Sequence, residues 1–163
     1  MSHGQRIDKA SIMISATQRE VYEAFIHPKA YESWLPPQDM TGQLLEFDPQ
    51  PGGAFRMKLT YNDQGYAHAG KTTEEADIAK GYFRELTPYE LIVQAVTFES
   101  DDQRFAGEMT MTWKIYPNNG GTMVSVECSD VPEGIGQEDH EMGLNASLRN
   151  LELYCEMQAG RRV

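Results

Sequence analysis

The 163-residue chain reads as an α+β protein: a curved antiparallel sheet of about seven strands around a long C-terminal helix, with two short helices between strands 1 and 2. Two patterns carry that reading. Over residues 41–130, apolar and polar side chains alternate in short runs separated by turn residues, the period of strands. Over residues 137–158 the period changes. Leu144, Leu148, Leu151, Cys155 and Gln158 recur at steps of four and three, which puts them on one face of a helix. A long amphipathic helix needs a sheet to lie on, and an alternating sheet needs a cover for its apolar face.

The elements follow in order. Residues 7–14 make a first strand, Ile12 and Ile14 alternating around Met13. Thr17 is placed to cap a helix, because Glu20 stands three residues on and completes a capping box. Val21, Ala24 and Phe25 form the apolar face of that helix. Pro28 ends it and opens a second short helix carrying Tyr31 and Trp34. Leu35-Pro36-Pro37 stops the second helix. Residues 42–48 make the next strand, with Leu45 and Phe47 on one face, and Pro49-Gln50-Pro51-Gly52-Gly53 turns the chain. Phe55, Met57, Leu59 and Tyr61 then alternate with Arg56, Lys58 and Thr60, giving one dry and one wet face.

The polar stretch 62–75 is expected to be an exposed, mobile hairpin loop. Strands resume at 78–86 and 91–98, parted by Thr87-Pro88, and Ser100-Asp101-Asp102-Gln103 turns again. Met109, Met111, Trp113 and Ile115 alternate with Thr110, Thr112 and Lys114. After Pro117-Asn118-Asn119-Gly120-Gly121, Val124, Val126 and Cys128 close the sheet. The short connections after Tyr61 imply an antiparallel meander. Gly134 and Gly136 precede the last helix and Gly160 follows it. Glu138, Asp139 and Glu141 favour the positive end of its dipole.

Composition bounds the function. Fourteen Lys and Arg against 25 Asp and Glu give a net charge of −11. Such a surface repels phosphate backbones and anionic lipid, so neither nucleic acid nor membrane is expected as a partner. No run approaches the roughly 18 apolar residues of a membrane span. The first ten residues lack the pattern of a signal peptide. Two cysteines, Cys128 and Cys155, fit a reducing cytoplasm, and a single cytoplasmic domain over 1–163 with its core at 7–158 is expected. Both thiols read as buried and free, a disulfide between them being the minor alternative. Neither has an adjacent Lys, Arg or His to activate it. Without CxxC, HxxxH, GxSxG or a phosphate-cradling loop, no metal or cofactor is expected.

One set of residues resembles a known family. Ile14-Ser15-Ala16 is followed by Val21, Ala24, Pro28 and Trp34, and Asp48 by Gly52-Gly53-Ala54-Phe55. Gly81 comes with Glu85, Pro88 and Leu91-Ile92-Val93. The 110–115 strand, Gly120-Gly121-Thr122 and Val131-Pro132 complete the series. In this order they resemble the homologues of the activator of heat-shock protein 90 ATPase, a family of the START/Bet v-like helix-grip (SRPBCC) superfamily.

The resemblance implies a helix-grip fold with a cavity between the sheet and the final helix. Residues placed to line it are Trp34, Phe47, Phe55, Met57, Leu59, Tyr61, His68, Phe83, Met109, Met111, Trp113, Leu144, Leu148, Leu151 and Cys155. The plain alternative is that they fill a core. The function implied is binding of a small hydrophobic molecule in that cavity. A second reading is a chaperone-associated interaction module that uses the acidic surface. A third is a cyclase- or hydrolase-like enzyme with His68, Tyr61 or a buried carboxylate as acid or base. A small apolar ligand is the first partner expected, with a homodimer or a chaperone as further ones.

The remaining ionisable residues weigh less. His27, before Pro28, suits a helix cap. His140 sits in Glu138-Asp139-His140-Glu141, a run that could hold a divalent cation but that acids at a helix N-terminus already explain. Glu74, Glu75 and Asp77 crowd carboxylates near a strand start and are expected to be exposed and screened.

Overall fold

A computed structural model describes residues 6–37, 39–62 and 76–160. The elements run β1 (Ile7–Ile14), α1 (Gln18–Ile26), α2 (Pro28–Trp34), β2 (Met40–Phe47), β3 (Ala54–Tyr61), β4 (Ala76–Thr87) and β5 (Leu91–Phe98). A 3-10 turn (Gln103–Phe105) follows, then β6 (Met109–Asn118), β7 (Gly121–Ser129) and α3 (Gln137–Gly160). The seven strands form one sheet in the order β1-β7-β6-β5-β4-β3-β2 with every neighbour antiparallel, as expected. Because β1 pairs with β7 while β2 is the opposite edge, α1 and α2 must carry the chain from one edge to the other. Residues 63–75, where the loop expectation and His68 fall, lie outside the described residues.

Local chemistry sets the element ends. The Thr17 hydroxyl accepts the Glu20 N–H at 3.1 Å and the Glu20 carboxylate accepts the Thr17 N–H at 2.9 Å, the reciprocal capping box. His27 joins α1 to α2 through its backbone. Its N–H donates to the Glu23 carbonyl and its own carbonyl accepts from Tyr31, so it caps both helices, as expected, and does so through its backbone and not its ring. Pro28 at the first helical position has no N–H for that ring to cap. Asn119 (φ 50°) and Gly120 (φ 84°) form a two-residue turn whose left-handed pair matches the twist of β6 and β7.

Two bulges bend the sheet. Register shifts between Leu44 and Glu46 on β2, and between Phe83 and Glu85 on β4. The first corrects an expectation: Leu44, opposite Met57, shares the inner face with Phe47, and Leu45 is turned outward and 42% exposed. An extra residue breaks the period of two, so strict alternation misplaces whatever lies at the bulge.

Helix α3 runs alongside β1. The Lys9 N–H donates to Glu141 at 2.9 Å near one end and the Ser15 N–H to Glu156 at 3.0 Å near the other. One carboxylate thus covers an N–H of the edge strand and the other the N–H just past its end. Leu144, Ser147, Leu148, Leu151 and Cys155 form its buried face. From that side the Ser147 hydroxyl donates to the Leu35 carbonyl at 2.6 Å, and the Asn150 amide donates to those of Trp34 (3.3 Å) and Pro36 (2.9 Å). These are carbonyls at the end of α2, where a helix leaves its last acceptors without intrahelical donors. No helix among the described residues is long and apolar enough to cross a membrane.

Candidate functional site

Antiparallel register aligns the inner face row by row. Phe55 lies opposite Gly81, Met57 opposite Ala79 and Leu59 opposite Asp77. Gln94 faces Met111, Ile92 faces Trp113, and Val126 faces both Trp113 and Ala10. The face divides into two ends.

The end beneath α1 and α2 is filled by rings. Phe25 meets Trp34 at 4.8 Å and Trp113 at 5.1 Å, edge to face, and Trp34 meets Trp113 at 5.8 Å. Tyr31 stacks on Phe47 at 5.3 Å, and Phe83 meets Phe47 and Phe55. A buried polar chain threads this cluster. The Trp113 indole N–H donates to the Gln94 carbonyl oxygen at 2.9 Å, and the Gln94 amide donates to the Tyr31 hydroxyl at 3.1 Å. The Trp34 indole donates to the Ala24 carbonyl at 2.8 Å. Burial pushes the Tyr31 phenol up to about 12, so it stays neutral.

The other end is where α3 begins. Asp8, with no exposed side-chain surface, receives two hydrogen bonds from Arg6 (2.8 and 2.7 Å) and lies 2.7 Å from His140 Nδ1. Arg6 also donates to the Ile135 carbonyl at 2.6 Å, tying the approach to α3 onto β1. Burial acts to raise the Asp8 pKa, but the bonds from Arg6 and His140 outweigh it and hold the carboxyl below its ordinary value. His140 therefore serves this clamp. Among the described residues no three or more His, Cys, Asp or Glu side chains gather as a metal site.

Along the inner face Leu44, Phe47, Leu59, Tyr61, Ala79, Phe98 and Met111 keep part of their surface, whereas Phe25, Tyr31, Trp34, Phe55, Phe83 and Trp113 have almost none. Among these apolar groups sits one carboxylate. Asp77 is 3% exposed, which corrects the expectation that it lies in a solvated acidic cluster; Glu74 and Glu75 are outside the described residues. Its parity with Ala79, Gly81 and Phe83 along β4 turns it inward. The Tyr61 hydroxyl is hydrogen-bonded to it. Burial first, then the charge and hydrogen bond of Asp77, raise the Tyr61 pKa.

Of the residues expected to line a cavity, Trp34, Phe47, Phe55, Phe83 and Trp113 interlock at the closed end, with Met57, Met109, Leu148, Leu151 and Cys155 buried in the same core. Leu59, Tyr61 and Met111 are half-buried on the inner face, Leu144 is buried in the core, and His68 is outside the described residues. Tyr31 and Asp77 stand in the sequence reading in other roles, and Gln94, Ala79 and Phe98 are not singled out there; strand parity is the signal that could have found Asp77, Ala79, Gln94 and Phe98.

Residues 15–156 match the family described as activator of Hsp90 ATPase homolog 1-like protein. The chain belongs to this family. Among solved structures, the family member is similar to protein CV1439 from Chromobacterium violaceum, with TM-score 0.81, 28% identity, and coverage of 92% of this chain and 96% of that one. A protein from Arthrobacter aurescens shares the fold at TM-score 0.76 and 13% identity, covering 93% and 86%. One from Staphylococcus epidermidis does so at 0.73 and 17%, covering 97% and 94%. No protein with curated annotation matches the sequence.

The remaining groups of this family member narrow its chemistry. Burial pushes both thiols up to about 12, with minor help from Asp8 for Cys128 and from Glu20 and Glu156 for Cys155. They are free, buried and protonated at neutral pH, and they sit near opposite ends of β1 and α3. A surface groove of about 700 Å³ lies where residues 15–18 and 20 meet the 117–122 turn and Ala159.

Proposed function

We propose that the protein binds a small, largely apolar molecule bearing one hydrogen-bonding group in the open end of its concave face. Leu44, Leu59, Phe98 and Met111 would take the apolar body, and the Tyr61–Asp77 pair the polar group. The observation that carries this reading is an inward-facing, buried carboxylate among partly covered apolar side chains. Apolar area removed from water would drive binding, at roughly 25 cal/mol per Å². A tyrosine–carboxylate pair orients a ligand through both donor and acceptor positions. The family fold supports such a role, since a grip of this kind leaves an apolar surface between sheet and helix.

The same pair argues for binding over proton transfer. A Tyr61 phenol whose pKa is raised by burial and by Asp77 is a weaker acid than free tyrosine, further from the neutral range that general acid catalysis favours.

The test is uptake of N-phenyl-1-naphthylamine, an apolar fluorophore with one N–H donor, followed by its emission. Saturable binding with a dissociation constant near or below about 10 μM is expected. Met111→Trp, which adds bulk at the mouth, should weaken it at least about tenfold, and Tyr61→Phe about fivefold. Binding that neither substitution alters would place the probe elsewhere and defeat the reading.

A further inference from the structure

The hydrogen bonds that thread the ring cluster run in one direction. The Trp113 indole is a donor only, so the Gln94 atom 2.9 Å from it must be the amide oxygen. That choice turns the Gln94 nitrogen toward Tyr31, where its N–H meets a lone pair of the hydroxyl at 3.1 Å. Each donor is thus committed by the one before it, and the chain ends on the Tyr31 O–H. Among the described residues no oxygen or nitrogen accepts that proton, although Tyr31 is 3% exposed and Gln94 1%. Burial keeps the phenol neutral, so the proton stays where it is. A buried donor left unmet is costly, and an acceptor that reached it would recover that cost.

The hydroxyl stands where the sealed cluster borders the half-covered face. Gln94 pairs with Met111 across β5 and β6, which makes their side chains neighbours on one face, and Met111 keeps part of its surface. The Tyr31 ring stacks on Phe47, which is half-buried as well. An apolar molecule lying against Met111 and Phe47 would bring one of its ends to Tyr31. Charge decides what that end carries. Asp8 shares a row of the sheet with Cys128, Met111 and Gln94, and its cation Arg6 is already bound to it. Asp77 is a further carboxylate on the same inner face. A ligand carboxylate would therefore be buried among carboxylates with no cation left to pair it. A carbonyl oxygen offers lone pairs and carries no charge to desolvate.

We propose that the Tyr31 hydroxyl is a ligand-binding donor at the inner end of the concave face, and that it takes a neutral carbonyl oxygen of a ketone, ester or amide. The inference rests on the reading that this face binds an apolar molecule. It adds an acceptor on that molecule to the group taken by Tyr61 and Asp77.

The test compares two isosteres, 2-acetylnaphthalene and 2-isopropenylnaphthalene, in which a methylene replaces the carbonyl oxygen and removes the hydrogen-bond acceptor. Displacement of the naphthylamine probe gives a dissociation constant for each on the full chain. The preference for the ketone, read as the ratio of these constants, should fall at least about fivefold in Tyr31→Phe. A general loosening of the core would weaken both compounds and cancel in that ratio. In Tyr61→Phe the ratio should stay within about twofold of the wild type. The infrared stretch of the bound ketone is a readout that does not need the Tyr31 variant. It should lie below its position in alkane solution, in the wild type and in Tyr61→Phe alike. A ratio that Tyr31→Phe leaves unchanged overturns the carbonyl site and leaves apolar binding standing. So does a stretch at the alkane position, or one whose lowering disappears with Tyr61→Phe. If neither compound displaces the probe, or the probe itself does not bind, the ligand-binding reading falls and this proposal with it.

Discussion

Asp8 keeps a negative charge where none of its side chain reaches solvent, and it does so only through Arg6 and His140. Replacing it by Ala strands two donors and should cost about 3 kcal/mol in urea unfolding at neutral pH. The pH dependence has a definite sign. The folded pKa lies below the unfolded value of about 3.9, so the stabilisation is complete above that value and lost as pH falls through the folded one. Urea midpoints measured from pH 2 to 7 should show this acid loss in the wild type, and a correspondingly smaller one in Asp8→Asn. Gln94 is the other residue on which several groups depend. Gln94→Leu removes the acceptor of the Trp113 indole and the donor to Tyr31, and should cost about 2–3 kcal/mol in thermal unfolding. A cost under about 1 kcal/mol would mean that water replaces the amide.

At the scale of elements, strand β4 shows why a glycine can be required without any unusual φ. A Cβ built on Gly81 would lie 1.7 Å from the Ala95 carbonyl oxygen and 3.2 Å from the Phe55 ring. Strand pairing fixes the first and the aromatic cluster holds the second, so neither can yield cheaply. Gly81→Ala should therefore cost about 3 kcal/mol, the upper part of the range for overpacking, and should perturb the near-ultraviolet signal of the rings. Helix α3 works differently, since its polar side chains do the joining. Ser147 and Asn150 reach the carbonyls at the end of α2, and Glu141 and Glu156 reach the edge of β1. The helix is held at its sides by hydrogen bonds and on its inner face by Leu148 and Leu151, both fully buried.

For the whole molecule, the division into a sealed end and an open end matters most. Rings from α1, α2, β2, β3, β4 and β6 close one end, which makes it a rigid floor. The open end is the half-covered inner face of β2–β6, and the Arg6–Asp8–His140 clamp holds the start of α3 on β1. A ligand that binds only the folded chain should stabilise it by about 2.7 kcal/mol when present at one hundred times its dissociation constant. Scanning calorimetry with the naphthylamine probe should register that gain as a higher Tm, and Met111→Trp should cut the rise by about half or more without lowering the unliganded Tm by more than a few degrees.

Sequence alone was enough for the seven strands, the capped first helix, the proline-started second helix and the inner face of α3. Each is written in a local signal: alternation, a Thr–Glu spacing, a ring without an N–H, or a helical period. It could not place Leu45, because a bulge shifts the period by one residue and leaves no mark in composition. It misread Asp77 because polarity was weighed above parity. Packing between distant segments governed the rest. Trp34 and Trp113 are 79 positions apart in the chain and touch only once α2 folds under the sheet, so no spacing rule could show which end of the grip is sealed. A period records which side chains share a direction, and it takes a neighbouring surface to turn that direction inward or outward.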